Sequence, residues 1–303
     1  MRADFSKAMI RKIQTNSRAM LISGDLGFMA FEEIIAVAGN RFLNAGVAEQ
    51  NMMGVACGLA MSGYQPWVYS IAPFLTLRCL EQIRNDVCFH RLPVRLVGNG
   101  GGYTYGIMGS THHALEDLAV LKALPNMNLL FPCTPDQVAP AVDAMDSLPG
   151  PSYLRLGISA FPTASTFIWE NPETLTRQYA EGKSLTVLGV GHAAQMTLNA
   201  VLDPSIDADV FSIARYPFDW HKDGKVAESV SHTRRVLVVE EHYLPGGMGE
   251  SLKVSLPCVD HFEILAPAYS VGQLYGSARF HLSQCGLTPE AIRRSAERQR
   301  GLG

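Results

Sequence analysis

The main candidate for a catalytic residue in this sequence is a glutamate at the start of a predicted apolar helix. Glu49 follows a short predicted strand, 41–44, and opens the segment 48–60, whose small and apolar residues predict a buried helix. The helix dipole favours a carboxylate in the first turn, and carboxyl groups in apolar surroundings can exchange a proton near neutral pH. Glu49 is therefore a candidate acid–base residue. The alternative, that it only caps its helix, stays open.

Two adjacent histidines follow a glycine-rich loop. The loop 98–106 has neither the GxxxxGK[ST] pattern nor the GxGxxG spacing, so it is predicted to line a pocket rather than to cradle a phosphate. His112 and His113 would diverge by about 100° on a helix, which favours one catalytic and one structural histidine. Asp25, in the GDLG turn after the strand 19–23, would project at the same sheet edge, although such a turn is often only a turn.

Composition excludes several classes of function. A net charge of −3 and the absence of Lys/Arg runs argue against nucleic acid or an anionic membrane and favour a small substrate. No apolar run approaches the ~20 residues of a membrane span, and the first residues do not begin a signal peptide, so a cytoplasmic protein is expected. The six cysteines form no CxxC pair, which favours buried free thiols over disulfides or a zinc site.

Strands and helices alternate along the whole chain, which predicts two doubly wound α/β domains. The expected strands of the first half are 19–23, 41–44, 65–69, 93–97, 129–131 and 151–156, with a helix at 74–90 among those between them. Glu116 and Asp117 are expected on a solvated helix. The weakly periodic stretch 165–182 is expected to be a linker. In the second half, the amides of 246–249 could bind an anion, whereas Glu241 and His242 are taken as structural.

Taken in chain order, the motifs resemble those of transketolase-type enzymes that use thiamine diphosphate. The resemblance is carried by GDLG at 24–27, NAGVAEQNMMGVACGLA at 44–60, GSTHHALEDLAVLKALPNM at 109–127 and PSYLRLG at 151–157, and by the segment 239–249. It implies a thiamine diphosphate pyrimidine-binding fold over 1–164, a linker over 165–182 and a transketolase C-terminal domain over 183–303.

The resemblance also implies roles for individual residues. Glu49 would hydrogen-bond the N1′ atom of the cofactor's aminopyrimidine, Phe74 would pack on the pyrimidine ring, and Tyr69 would add to the same wall. Asp25 matches an acidic residue of the cofactor region. His112 matches a histidine that contacts the reacting substrate, where it could donate to a developing oxyanion or move a proton.

The sequence departs from sugar-phosphate transketolases at three substrate contacts. Met108 stands where those enzymes have an Asp that binds a donor hydroxyl, Gly100 replaces a phosphate-binding His, and Ile158 replaces a phosphate-binding Arg, although Arg155 lies three residues earlier. Charged hydrogen bonds contribute about 1.5–3 kcal/mol each, so the substrate is not expected to be an ordinary pentose or hexose phosphate.

Other polar residues are further candidates for substrate binding. Arg78 lies about one residue out of register with an Arg of deoxyxylulose phosphate synthases and could hold an anionic group; the alternative is a surface ion pair with Glu81. His113 and Arg155 complete this set of candidates.

The resemblance does not extend to a diphosphate-binding domain, because no GDG followed by Asn occurs at the family's spacing. It therefore implies the C-terminal subunit of a split transketolase, which moves a two-carbon ketol unit from a ketose to an aldehyde. An N-terminal partner subunit would carry the diphosphate site and hold Mg²⁺ or another divalent metal, so no metal ligands are expected in this chain. The expected assembly is α2β2. The alternatives are the β-subunit of a 2-oxo acid dehydrogenase, a deoxyxylulose phosphate synthase-like enzyme, and a non-catalytic interaction subunit.

Overall fold

The computed structural model describes residues 1–158, 166–203, 205–256, 259–268 and 274–300, and these residues build two sheets. The strands are β1 (Ala19–Ser23), β2 (Phe42–Asn44), β3 (Gln65–Ile71), β4 (Arg95–Asn99), β5 (Asn128–Leu130), β6 (Ser152–Leu156), β7 (Trp169–Asn171), β8 (Thr176–Ala180), β9 (Leu185–Val190), β10 (Ala208–Ile213), β11 (Arg215–Tyr216), β12 (Arg235–Val239) and β13 (His261–Leu265). The α-helices are α1 (Arg2–Thr15), α2 (Glu32–Ala38), α3 (Glu49–Met61), α4 (Ala72–Thr76), α5 (Leu80–Gln82), α6 (Asp117–Lys122), α7 (Val138–Ser147), α8 (Ala193–Val201), α9 (Gly224–Thr233), α10 (Met248–Ser255), α11 (Ala278–Gln284) and α12 (Pro289–Arg300).

The first sheet confirms the six strands predicted for the first half of the chain. Its order is β11-β5-β6-β4-β3-β1-β2, and all neighbours among β1–β6 are parallel. Every residue of β1 and β6 is buried, as expected for strands covered on both faces. Because parallel strands end at a common edge, the connections after β1, β2, β3 and β4 converge there.

Two apolar clusters cover the two faces of this sheet. Met52 and Met53 of α3 pack with Val68 of β3 on one face. Phe5 of α1 packs with Tyr69, the next residue of β3, on the other face. Successive side chains of a strand point to opposite faces, so α3 and α1 lie on opposite sides of the sheet. Glu49 is the first residue of α3, so it lies at the start of this helix, as predicted.

The second sheet takes two strands from the stretch 165–182, for which the sequence predicted a linker. Its order is β13-β12-β9-β10-β8-β7, and β7 and β8, which come from that stretch, pair antiparallel to their neighbours. The strand β8 is hidden in the sequence because its buried positions include Arg177 and Gln178, whose polar side chains break the apolar pattern. Arg177 is paired with Glu170 at 2.7 Å and Asp136 at 2.6 Å. The domain boundaries themselves stay a prediction.

The helix predicted over 74–90 is interrupted. α4 ends at Thr76, α5 covers three residues, and Ile83–Cys88 is wound as a π-helix. Both Leu77 N and Arg78 N donate to the carbonyl of Pro73, at 2.9 and 3.3 Å, so the chain turns wide between α4 and α5. This turn carries Arg78 to the carboxyl edge of the sheet.

The five cysteines within the described residues are free, and four of them are buried, as predicted for these positions; Cys258 lies outside the described residues. Among the described helices, none combines the length and the hydropathy that a membrane span requires.

Candidate functional site

The Glu49 side chain lies at the carboxyl edge of the first sheet, between the ends of β1 and β3. It is 3% exposed. A Cβ built on Gly24, which follows β1, would lie 3.6 Å from Glu49 Cγ and 3.5 Å from the hydroxyl of Ser70 in β3. That hydroxyl is buried and has no hydrogen-bond partner among the described residues. The edge therefore offers a buried acid beside an unused polar atom, with glycine keeping the space open.

Arg78 is paired with this acid. Its Nη1 atom donates to Glu49 Oε2 at 2.6 Å, while its side chain is 43% exposed. The predicted alternatives for Arg78 were a free anion-binding group and an ion pair with Glu81. The structure shows a different partner, because the turn after α4 directs the side chain inward to a carboxylate 29 residues away.

The Phe74 ring packs against the guanidinium group of Arg78. The Arg78 Cζ atom lies 4.4 Å from the centroid of the Phe74 ring. A planar cation is thus stacked on an aromatic face while its N–H donates to a buried carboxylate. A binding site for an aminopyrimidine needs the same two features: an aromatic ring on which the pyrimidine can stack, and a carboxyl group that hydrogen-bonds one of its ring nitrogens. Glu49 and Phe74 fit such a ring, which would have to displace the Arg78 guanidinium.

His112 lies against the same phenylalanine. Its ring is half-buried and meets the Phe74 ring edge to face, with centroids 5.0 Å apart. The hydroxyl of Thr111 is 3.0 Å from His112 Nδ1, which engages that nitrogen and leaves Nε2 for another partner. The structure therefore brings together four of the predicted site residues: Glu49, Phe74, Arg78 and His112.

Tyr69 is not brought to this group. Its ring is 1% exposed and packs on the opposite face of the sheet, 5.8 Å from the ring of Phe5 and 4.7 Å from that of Phe31. Burial raises the pKa of its phenol. Strand alternation explains this placement, because the side chain that faces α3 is that of Val68.

Asp25 lies at the carboxyl edge of the sheet but is bound to Asn44, the last residue of β2. Its Oδ1 accepts from Asn44 Nδ2 at 2.9 Å, and its backbone N–H donates to Asn44 Oδ1 at 3.1 Å. These two bonds tie the ends of β1 and β2 together next to the start of α3. The contact explains how Asp25 shapes the edge; its role towards a cofactor stays a prediction.

Arg155 is enclosed rather than available to a substrate. Its Nε donates to Asp117 Oδ2 at 2.9 Å, and both side chains are 1% exposed. Tyr153 donates to the same carboxylate oxygen at 2.8 Å. The prediction that Asp117 is solvated is wrong, because its helix packs over the sheet with this carboxylate turned to a buried cation. Glu116 is half-buried.

His113 turns away from His112 and packs against the second half of the chain. Its ring meets Tyr103 at 5.0 Å and His281 of α11 at 4.7 Å between centroids. Burial lowers the pKa of His113, and the neighbouring His281 lowers it further. This packing favours the structural role for the second histidine of the pair.

A buried polar network joins the two sheets beside Arg155. Glu241 accepts from Tyr103 N at 2.8 Å through Oε1, and its Oε2 lies 2.5 Å from His192 Nε2. Arg155 Nη1 is 3.3 Å from the other ring nitrogen of His192. Glu241 is therefore held from both halves of the chain, in keeping with the structural role expected for it.

The amides predicted to bind an anion at 246–249 already bind a carboxylate of the chain. Glu240 accepts from Met248 N at 2.6 Å and from Gly249 N at 3.0 Å. Its Oε2 is 3.2 Å from Nδ1 of the buried His242. Burial raises the pKa of Glu240 to about 7. The helix N-terminus is thus used internally, by an acid that the sequence places only eight residues before it.

Sequence reasoning missed Tyr105 and Asn99 at this edge. Asn99, the last residue of β4, donates through Nδ2 to the Tyr105 hydroxyl at 2.6 Å. The Tyr105 ring lies 6.5 Å from the His112 ring and fills the space above Gly100, where a Cβ would come within 2.2 Å of it. Gly100 was the available signal, since a glycine can mark a place where another group approaches the backbone closely. Within the described part of the chain, no three His, Cys, Asp or Glu side chains are arranged to hold a metal ion.

Comparisons with known proteins agree on one family. The family described as "Transketolase, pyrimidine binding domain" matches residues 1–162. A subunit of the apulose-4-phosphate transketolase of Phocaeicola vulgatus is 32% identical over 246 residues, which cover 78% of this chain and 74% of that protein. The 6-deoxy-6-sulfo-D-fructose transketolase subunit SqwH of a Clostridium species is 28% identical, covering 83% and 79%. A solved split-gene transketolase, described as an inactive β4 tetramer, has a TM-score of 0.81 at 28% identity and covers 99% and 98%.

Proposed function

The chain belongs to the transketolase family, and we propose that it is the C-terminal subunit of a split, thiamine diphosphate-dependent transketolase. Such an enzyme transfers a two-carbon ketol unit from a ketose to an aldehyde. The observation that carries the proposal is the buried Glu49 carboxylate, which holds a planar cation against the face of Phe74. Both relatives compared above are named as transketolase subunits, and the matching part covers most of each.

Each residue of the cluster has a part in this chemistry. Thiamine diphosphate, when bound, supplies the carbon nucleophile that attacks the ketose. Glu49 would hold a proton at a nitrogen of the aminopyrimidine ring, and burial keeps water from competing for that bond. Phe74 would stack on the ring. His112, in contact with Phe74, would donate to the substrate oxygen on which charge develops.

An exposed apolar rim lies at the carboxyl edge that carries the cluster and suits a partner subunit. It lies in the connections that leave the carboxyl ends of β1, β2, β4 and β6. Phe28 is 85% exposed, Val47 75% and Ile158 69%. Large exposed apolar patches mark interaction sites. The rim consists of Phe28, Met29, Val47, Ile107, Met108 and Ile158. We assign it to an N-terminal subunit that holds the diphosphate and Mg²⁺ or another divalent metal, with two copies of each subunit in an α2β2 assembly.

The substrate is proposed to be an unusual ketose. Met108, Gly100 and Ile158 stand where the family's ordinary sugar-phosphate contacts would be, and none of the three side chains carries a charge or a strong hydrogen-bonding group. The two relatives compared above are named for apulose 4-phosphate and 6-deoxy-6-sulfo-D-fructose, which are not the common pentose and hexose phosphates. Those names support an uncommon sugar without deciding whether it carries a phosphate.

Reconstitution tests the proposal directly. The chain would be purified alone and together with an N-terminal transketolase subunit, each with thiamine diphosphate and Mg²⁺. Ketol transfer is expected only from the pair, and the isolated chain is expected to bind the cofactor weakly because the diphosphate site is assigned to the partner. Tight binding of thiamine diphosphate by the isolated chain would contradict the split-subunit proposal.

The choice of donors separates the alternatives. Fructose 6-phosphate, xylulose 5-phosphate and pyruvate would be offered to the pair, each with an aldehyde acceptor. Consumption of pyruvate with acylation of a lipoyl domain would favour a 2-oxo acid dehydrogenase, and condensation of pyruvate with the aldehyde would favour a deoxyxylulose phosphate synthase-like enzyme. Inactivity with these three donors and also with hydroxypyruvate, which carries the ketol unit without a sugar chain, would favour an interaction subunit. Rapid turnover of either common sugar phosphate would overturn the proposed substrate specificity.

A further inference from the structure

Tyr105 stands at the candidate site without a role in the chemistry described above. It lies in the loop after β4, with its ring over Gly100 and 6.5 Å from the ring of His112. His112 also contacts Phe74, whereas no ring contact joins Tyr105 to Phe74 within the described residues. His112 therefore links the two other rings, with Phe74 on one side and Tyr105 on the other.

The hydroxyl group of Tyr105 is held in place by one bond and has a second one to give. Asn99 Nδ2 donates to its oxygen at 2.6 Å, so the oxygen acts as the acceptor there. No described residue accepts a hydrogen bond from the Tyr105 hydroxyl. Burial raises the pKa of this phenol, and the charge of Arg2 opposes the shift only in part, so the group keeps its proton at neutral pH.

Two other tyrosines show what a purely structural phenol looks like in this chain. Tyr153 is fully buried and donates to Asp117 at 2.8 Å. Tyr69 is buried between two phenylalanine rings. Tyr105 differs from both because it is half-buried and no described residue accepts its hydroxyl proton. A polar group fixed in this way costs little reorganisation when it binds a ligand.

We infer that Tyr105 is a specificity-determining residue, which donates a hydrogen bond from its hydroxyl group to a hydroxyl of the acceptor aldehyde. The inference rests on the proposed function. A substrate whose reacting carbon lies beside Phe74 and His112 extends outward to Tyr105, and the Asn99 bond fixes the hydroxyl that meets it. The substrate class is a hydroxylated aldehyde of aldose type, and Tyr105 selects it over an aldehyde of equal length without hydroxyl groups.

The test compares two acceptors of three carbons. The chain, reconstituted with its partner subunit, thiamine diphosphate and Mg²⁺, would be assayed with hydroxypyruvate as donor and D-glyceraldehyde or propanal as acceptor. Wild type is expected to prefer D-glyceraldehyde. Tyr105→Phe keeps the ring and removes the hydroxyl, so the ratio of the two kcat/KM values is expected to fall about tenfold, mainly through D-glyceraldehyde.

Controls separate the hydroxyl from the ring and from the fold. Tyr64→Phe, at an exposed site before β3, is expected to leave the ratio unchanged. Tyr105→Ala is expected to lower it at least as much as Tyr105→Phe. An unchanged ratio in active Tyr105→Phe, or a wild type without preference, would overturn the inference while leaving the proposed function intact. Absence of ketol transfer by the wild-type pair to either aldehyde would instead defeat the proposed function, and the inference with it.

Discussion

Two carboxylate–arginine pairs in this protein look alike in chemistry and differ in surroundings. Arg78 meets Glu49 at 2.6 Å, and Arg155 meets Asp117 at 2.9 Å. Both side chains of the second pair are 1% exposed, whereas Arg78 is 43% exposed and only Glu49 is enclosed. The Arg155 pair is closed on all sides by the chain, and the Arg78 pair opens to solvent on the side of the cation.

The difference separates an enclosed pair from one that a ligand could reach. Arg155 also donates to Ala114 O at 2.8 Å and faces His192, so removing it would leave several buried groups without a partner. Water or a ligand can take the place of Arg78 at far lower cost, because one half of its side chain is already hydrated. We therefore expect Arg78 to be displaceable and Arg155 to be fixed. Four experiments test this contrast, in order of decreasing expected effect.

Glu49→Gln should have the largest effect. The amide cannot carry the proton at the cofactor ring, so kcat of the reconstituted enzyme is expected to fall by about 10²- to 10⁴-fold. The fold should survive, because glutamine has nearly the same shape and the partner Arg78 can be hydrated. Steady-state kinetics and thermal unfolding of the same preparation would check both expectations. An active and stable Gln variant would contradict the assignment of Glu49.

Replacing the enclosed arginine should mainly affect stability. Arg155→Ala leaves Asp117 as a buried charge without its cation, and breaking such a pair costs about 3–5 kcal/mol. The free energy of unfolding, measured in urea, should fall accordingly. Arg78→Ala is the matched comparison, with an expected loss of about 1 kcal/mol or less after allowance for solvent. Equal losses in the two variants would remove the contrast between the pairs.

The free energy of unfolding should also depend on pH through the buried carboxyl group of Glu240. Its pKa is raised by burial to about 7 from an ordinary value of 4.5, so between these pH values the folded protein holds a proton that the unfolded chain has lost. Stability due to this group is therefore present at low pH and is lost as the pH rises towards 7.

Urea unfolding of wild type and Glu240→Gln at pH 5 and pH 7.5 would measure the effect. The stability of wild type relative to the variant should fall over this range by up to about 3 kcal/mol, at 1.36 kcal/mol per pKa unit. Burial lowers the pKa of His242, which contacts Glu240 and is present in both proteins. A relative stability that rises with pH would show that the Glu240 carboxyl is ionised in the fold.

Arg78→Met should have the smallest effect, and in the opposite direction to the others. It removes the cation that competes for Glu49 and the face of Phe74, so the apparent Kd of thiamine diphosphate for the reconstituted enzyme is expected to fall several-fold. Titration calorimetry would measure it. Arg84→Met is a matched control, because Arg84 also stacks on a ring, 4.6 Å from the centroid of Phe89, in the same region. Weaker cofactor binding in Arg78→Met would show that Arg78 supports the cofactor instead of giving way to it.

The strands of the first half and the position of Glu49 could be predicted because they are written in local patterns. Continuous apolar runs mark strands covered on both faces, and a glutamate before a small, apolar segment marks a buried helix start. The motifs that carry the family resemblance are local as well, and the comparisons confirm the family. The strands β7 and β8 were missed because buried arginine and glutamine interrupt the pattern on which such predictions depend.

The sequence by itself determined the fold class and the family, and it singled out Glu49 as the candidate acid of the site. Only the tertiary structure decided which charged groups pair. Arg78 pairs with Glu49, 29 residues away in the sequence, and Asp117 pairs with Arg155, 38 residues away. It also decided that the Tyr105 ring fills the space above Gly100. The physical reason is that an arginine in a sequence carries the same charge wherever it stands, whereas its role depends on the partner and the burial that distant segments provide.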